Sequence, residues 1–274
     1  MENPINLPFN PNDPTILHLD LNSCFASIEQ QANPLLRGRP VAVAAYVSPR
    51  GCILAASYEA KKLGVKTGMR VQDGKMLCKD LVVLPPDANK YRAVHLKMRQ
   101  LLNSYTNLVT PKSIDEFVLD LAGSPSLKLG MAETALNIKR RIKEEVGDYL
   151  RVSVGIAPNR YLAKVASSYQ KPDGLTVINN SNYAAIYDSL KLTDLCGIKE
   201  ANAARLNEGG VYTVTQMYAA SAATLKLAFH SVCGYQWYLR LHGYEIDDVL
   251  FARSSYGNSY ALPDKRDCRG CSSS

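Results

Sequence analysis

Asp115 and Glu116 stand between two apolar runs of strand length, residues 108–114 and 117–121, and Asp20 lies at the end of a third such run, residues 15–21. Apolar, β-prone segments of this length read as buried strands. The three acids are thereby placed at strand ends, where one sheet can bring them together. Carboxylates beside buried strands cost desolvation energy unless a cation compensates. Magnesium takes a few carboxylate oxygens together with substrate phosphates. Two such ions clamp the attacking and leaving oxygens of an in-line phosphoryl displacement, so the pattern points to nucleotidyl transfer. Singly, each acid has a plainer reading, because an aspartate ending a strand is ordinarily a helix cap or turn former.

The bulk properties narrow the class. A chain of 274 residues, 46% apolar and 21% charged, is long enough for more than one folding unit of ordinary globular composition. No apolar run is long enough to span a bilayer, and the polar start at residues 1–14 does not read as a signal peptide, so a cytoplasmic address is expected. Seven cysteines, an odd number at irregular spacing, do not make a disulfide framework. Cys268 and Cys271 form a lone CxxC where structural zinc would need four ligands. The formal charge of +7 mildly favours a polyanion. It is spread along the chain, with 19 basic and 15 acidic residues in 1–150 against 13 and 10 in 151–274.

The order of expected elements is strand 15–21, a helix capped by Asn22-Ser23, strands 41–47 and 52–56, and a helix at 58–63. A helix at 88–105, the two strands around Asp115, a helix at 131–146, a strand at 151–156 and a helix at 161–168 follow. This suits an α+β arrangement, a mixed or antiparallel sheet with helices on one face. Beyond 179 short helices take over, and Leu195-Cys196-Gly197-Ile198 reads as a tight turn leading into a helix. Such a turn presents backbone N–H groups to a phosphate, or is a plain helical hairpin. That would suit a stretch, residues 180–250, with five basic against seven acidic residues. Phe25, Tyr58, Lys61 and Lys171 taken singly are a core aromatic and solvated polar side chains.

Taken together, Asp20-Leu21-Asn22-Ser23-Cys24-Phe25, Ala56-Ser57-Tyr58-Glu59-Ala60-Lys61, Ser113-Ile114-Asp115-Glu116, Ser153-Val154-Gly155 with Leu162-Ala163-Lys164, Lys171-Pro172-Asp173-Gly174 and Leu195-Cys196-Gly197-Ile198 resemble the Y-family (translesion) DNA polymerases of the DinB and UmuC branches. The resemblance implies a right-hand polymerase core: palm at 1–23 and 87–178 with a mixed sheet, a small α+β fingers insertion at 24–86, and an all-α helix-hairpin-helix thumb at 179–250. Asp20, Asp115 and Glu116, with the Leu21 carbonyl, would hold two Mg²⁺. Ser23, Cys24, Phe25, Tyr58, Lys61 and Lys171 would bind the nucleotide, with Phe25 as the steric gate against a 2′-hydroxyl. Arg50 would approach the nascent base pair, and Gly197, Ile198 and Lys199 would hold DNA backbone.

Three departures from the family pattern stand out. Lys61 replaces a common arginine, turning a forked phosphate contact into a point charge. Lys199 replaces a common glycine in the hairpin. Residues 251–274 would be a linker and the start of a little-finger domain that stops short. The expected partners are primer–template DNA and a dNTP, with the chain a monomer that meets no membrane. Clamp binding would need a region past the C-terminus. The alternatives are a palm-like nucleotidyl cyclase and a non-catalytic DNA-binding accessory protein.

Overall fold

The structure, a computed structural model, describes residues 7–248 and Gly257; the expected linker, the CxxC pair and the first six residues lie outside these. In chain order the elements are β1 (Ile16–Leu21), α1 (Cys24–Ala32), β2 (Val41–Ala44), β3 (Ile53–Ala56), α2 (Tyr58–Lys62), α3 (Val71–Leu77), β4 (Val82–Leu84) and α4 (Ala88–Asn103). Then come β5 (Val109–Pro111), β6 (Glu116–Asp120), α5 (Met131–Arg141), β7 (Val152–Ala157), α6 (Arg160–Tyr169) and β8 (Leu175–Val177). Five helices complete the described chain: α7 (Tyr183–Ser189), α8 (Glu200–Glu208), α9 (Val214–Ala219), α10 (Ala222–Phe229) and α11 (Cys233–Leu241). None is long and apolar enough to cross a membrane.

The described residues fall into two compact units, one of 7–22, 95–146 and 151–248, the other of 23–94 and 147–150. The first holds a five-stranded sheet in the order β5-β6-β1-β7-β8, antiparallel except for the β7–β8 pair. The expected α+β class with a mixed sheet is met. Strand alternation divides its residues between two faces. Leu17, Leu19, Phe117, Leu119, Val154 and Ile156 fill one face and are at most fractionally exposed. Fully burying a side chain of this kind stabilises the fold by roughly 1.5–3 kcal/mol.

The other face carries Ile16, His18 and Asp20 of β1, Glu116 and Val118 of β6, and Ser153, Gly155 and Ala157 of β7. Helices pack on both faces, contrary to the expectation of one. His95 of α4 stacks on Phe117 at 4.7 Å, whereas a Cβ added to Gly155 would lie 2.0 Å from the Ala163 carbonyl oxygen of α6. Glycine is required there because helix backbone rests directly on strand backbone. Helices α7–α11 share a core with α6 and with Ile16, Val118 and Ala157. Asn159 joins these parts. Its side chain accepts from Leu162 N to cap α6 and donates to the Arg240 and Tyr244 carbonyls.

The second unit is a three-stranded sheet, β3-β2-β4, with β2 antiparallel to β3 and parallel to β4. Its core is small-residue rich, with Ala42, Ala44, Ala56 and Ala60 around Ile53 and Val65. Several boundaries differ from those expected. β2 ends at Ala44, and its register against β3 shifts between Val43 and Ala44. The helix beginning at Met131 gives way to a π-helical turn at Ile142–Val146. Ser23 occupies the N-cap position of α1 but makes no capping bond, its backbone being left-handed at φ 51°.

Candidate active site

In the first unit, β1 and β6 are antiparallel and place Asp20 directly opposite Glu116. Directly opposed side chains share a face with Cβ atoms about 4.5–5.5 Å apart, so the two carboxyls converge. The ladder continues one step further, Leu21 N donating to the Asp115 carbonyl at 2.9 Å. The Ser113 hydroxyl donates to Asp115 Oδ1. Burial, reinforced by the charges of Asp20 and Glu116, holds the Asp115 carboxyl above the ordinary carboxylate range despite that bond. Asp20 and the adjacent pair Asp115-Glu116, from two distant parts of the chain, thus sense one another.

Two lysines answer them. Lys171 Nζ donates to Asp20 Oδ2 at 2.7 Å, and Lys164 Nζ of α6 donates to Glu116 Oε2 at 2.9 Å. Burial acts to lower the Lys164 ammonium's pKa, but the bond to Glu116 and its charge outweigh this and leave it raised. Asn22, 1% exposed, fixes the loop that delivers Lys171. Its Oδ1 accepts from Ser153 Oγ at 3.0 Å and from Asp173 N at 2.8 Å, while its Nδ2 faces the Asp20 carbonyl and carboxylate at 3.3 and 3.4 Å. Lys139 Nζ also donates to the Asp173 and Gly174 carbonyls.

His18, two residues before Asp20 on the same face, is 1% exposed, and neither ring nitrogen has a hydrogen-bond partner. Its Nε2 lies 3.9 Å from Glu116 Oε1. Burial first, then the Lys164 charge, pushes its pKa down to about 3, so the ring is neutral and this contact is no ion pair. A cavity of ≈ 460 Å³ opens here, with His18, Lys112, Glu116, Lys164, Gly197 and Arg240 in its wall. The hairpin turn therefore reaches the same cavity as one of the three acids. Gly197 has φ 94°, and an added Cβ would meet Trp237 at 3.3 Å. The Ile198 side chain is fully buried, which leaves only its backbone for a ligand. Lys199 is exposed at the N-cap of α8 and makes no capping bond through its side chain.

The second unit brings Ser23, Tyr58 and Lys61 together. Lys61 Nζ donates to Ser23 Oγ at 2.8 Å and lies 5.4 Å from the Tyr58 ring centroid. Ser57 starts α2 by accepting from Ala60 N, which aims this short helix. Phe25 stacks on Tyr91 at 4.4 Å. The Tyr91 hydroxyl donates to Glu29 Oε1 at 2.9 Å, and Lys90 donates to Glu29 Oε2 at 2.6 Å. Cys24 is buried, so its thiol is closed to a ligand. Arg50 is exposed on the β2–β3 turn.

The acid set offers hard oxygen donors of the kind that suit magnesium. Among the described residues no three His, Cys, Asp or Glu side chains already form a metal cage. In the sequence motifs Asn22 read only as a helix cap, and Lys164 had no role. Their partners depend on the β1–β7 register and on the close seat of α6, neither of which sequence spacing encodes.

The sequence profile of the impB/mucB/samB family matches residues 19–168. The chain belongs to that family. It is 40% identical over 212 residues to DNA polymerase IV 1 of Bacillus subtilis, covering 77% of this chain and 50% of the relative. It is 36% identical over 228 residues to DNA polymerase IV of Pseudomonas aeruginosa, covering 83% and 64%. The insertion ternary complex of Dbh DNA polymerase superposes with a TM-score of 0.74 at 29% identity, over 83% of this chain and 66% of that one. DinB from Sulfolobus solfataricus gives 0.72 at 29%, with the same coverage. A Y-family DNA polymerase chimera gives 0.76, and the expected Y-family kinship and polymerase-core fold hold. The chain spans half to just under two-thirds of the length of these curated relatives. The kinship favours neither a cyclase nor an accessory protein.

Proposed function

We propose that the chain carries the catalytic core of a template-directed DNA polymerase of the low-fidelity, translesion type, adding dNTPs to a primer 3′-hydroxyl. The observation that carries this is the opposition of Asp20 and Glu116 across β1–β6, with Asp115 close enough to feel both charges. Asp20, Asp115, Glu116 and the Leu21 carbonyl would hold two Mg²⁺. When bound, such a pair polarises the α-phosphate and steadies the attacking and leaving oxygens.

The chain's own groups do the rest by position and electrostatics, the main resources of phosphoryl-transfer catalysis. Lys171, Lys61, Tyr58 and the Ser23–Cys24 backbone bind triphosphate oxygens. Lys171 and Lys164 neutralise Asp20 and Glu116 until substrate and ions arrive, which keeps three acids from repelling one another. Phe25, backed by the flat face of Tyr91, stands against the sugar and excludes a 2′-hydroxyl. Arg50 approaches the nascent pair, and the Gly197–Lys199 turn holds DNA backbone through N–H groups. The domain plan of palm, fingers and thumb given above belongs to this proposal, as do a monomeric state and cytoplasmic location.

Single-nucleotide insertion opposite each template base, with Mg²⁺, tests the reading. Insertion that follows the template and stops in Asp115→Ala is expected. Template-independent product, or cyclised nucleotide, would favour the cyclase alternative instead.

A further inference from the structure

The β2–β3 turn and α3 frame a second cavity, of ≈ 580 Å³, that none of the proposed chemistry uses. Its volume lies within the roughly 300–1,000 Å³ usual for small-ligand pockets. Val47 and Pro49 of the turn, Val71 and Met76 of α3, and Val83 of β4 make an apolar floor and walls. Met76 is 75% and Val47 58% exposed, so the apolar surface is open to solvent. The two walls are tied together, since Val71 N donates to the Gly51 carbonyl at 2.8 Å and Gln72 N to the Pro49 carbonyl at 2.9 Å. The groove is therefore a fixed feature of this unit.

Lys75 and Lys79 complete the lining. Neither ammonium has a hydrogen bond or ion pair among the described residues. The charge excess, evenly spread when the chain is divided at residue 150, is uneven on a finer scale. Residues 23–94 contain eleven Lys and Arg against five Asp and Glu, a net +6 of the chain's +7. Of those five acids, Glu29 is taken by Lys90 and Tyr91, and Glu59 by Gln30 and Tyr149. An apolar slot flanked by unpaired cations on a positively charged unit is complementary to one chemistry above others: a flat apolar ring joined to phosphates. Single-stranded nucleic acid is bound in this way, by apolar contact to base faces and by cations along the backbone.

We propose that this groove takes one unstacked base of single-stranded DNA, held between Pro49 and Met76, with its flanking phosphates on Lys75 and Lys79. The soft sulfur of Met76 suits an aromatic face, and Ser48 and Gln72 offer hydrogen bonds to the base edge. Under the polymerase reading, on which only this last point rests, the strand is uncopied template.

The test is equilibrium binding of fluorescein-labelled (dT)12 to the full chain, followed by anisotropy in EDTA, so that no catalysis enters. Each phosphate contact to a single strand contributes about 0.7 to the slope of log affinity against log salt. Combined Lys75→Ala and Lys79→Ala should reduce that slope by about 1.4, so that from 50 to 200 mM KCl the unaltered chain loses about sevenfold more affinity than the variant. Met76→Ala should weaken (dT)12 without changing the slope, and should not weaken an abasic 12-mer. All three residues are exposed, and matching thermal melts will show that the variants fold. An unchanged slope in the lysine variant overturns the proposal. An equal Met76→Ala loss on the abasic strand overturns it too, and assigns the groove to an apolar partner such as a peptide. Binding in EDTA needs no turnover, so a failed insertion assay and a failed groove are told apart.

Discussion

Replacing Asn22 with alanine probes how the site is assembled, and the structure sets the size of the effect. The buried amide accepts from Ser153 Oγ and Asp173 N and faces Asp20 with its donor end. In Asn22→Ala the Ser153 hydroxyl keeps an outlet, the Gln170 carbonyl at 3.3 Å, but the Asp173 N–H loses its acceptor. Leaving this part-buried donor without its acceptor costs about 1–3 kcal/mol, and the space left by the amide adds roughly 1 kcal/mol. A loss of about 2–4 kcal/mol is therefore expected, read as a fall in the urea midpoint at unchanged m-value. A cycle with Ser153→Ala should show coupling of at least about 0.5 kcal/mol, since contacting residues are not additive. A loss under about 1 kcal/mol, or strict additivity, would refute the view that this amide pins the Lys171 loop to the strand of Asp20.

Gly155→Ala should cost at least about 3 kcal/mol, because the new methyl meets helix backbone at 2.0 and 2.2 Å with no side chain able to swing aside; Gly123→Ala, whose Cβ meets open space, should cost near 1 kcal/mol for its positive φ. Chemical denaturation of both settles whether α6 rests on β7 as described. Phe25→Ala should raise ribonucleotide insertion relative to deoxyribonucleotide insertion, and unchanged sugar selectivity would make Phe25 a packing residue only. His18 should make stability pH-dependent. Its native pKa of about 3 lies below the ordinary 6.5, so below pH 6.5 the unfolded chain takes up a proton that the native ring refuses. Stability should fall from pH 6.5 towards 3 by up to about 1.4 kcal/mol per unit. His18→Phe should lessen that slope, and equal slopes in the two proteins would contradict the buried neutral ring.

Much of this was legible in the residues. The alternation of Ile16–Leu21 specified a strand with Asp20 near its end, and the apolar run after Glu116 specified its partner. The helix from Met131 also follows from local pattern. What the chain does not display is pairing across distance. Nothing in the spacing of Asp20, Glu116 and Ser153 says that β1 lies between β6 and β7, so Asn22 read as a helix cap and not as a clamp on the Lys171 loop. Short elements were missed for a related reason. β4 and β8 have three residues each, too few to show a period. α3 has Arg70 at its N-cap and no side-chain capping bond, leaving no start signal, and its groove stayed hidden with it. Ser23 looked like a helix cap by type, but its left-handed backbone sends its hydroxyl to Lys61 instead.

The central claim is that three acids from two distant segments share divalent ions. Binding of Mn²⁺, counted by electron paramagnetic resonance in the presence of a dNTP, addresses it without reliance on turnover. Two bound ions per chain are expected in the unaltered protein, with loss of at least one in the paired Asp115→Asn and Glu116→Gln variant. Equal Mn²⁺ occupancy in both proteins would contradict the account.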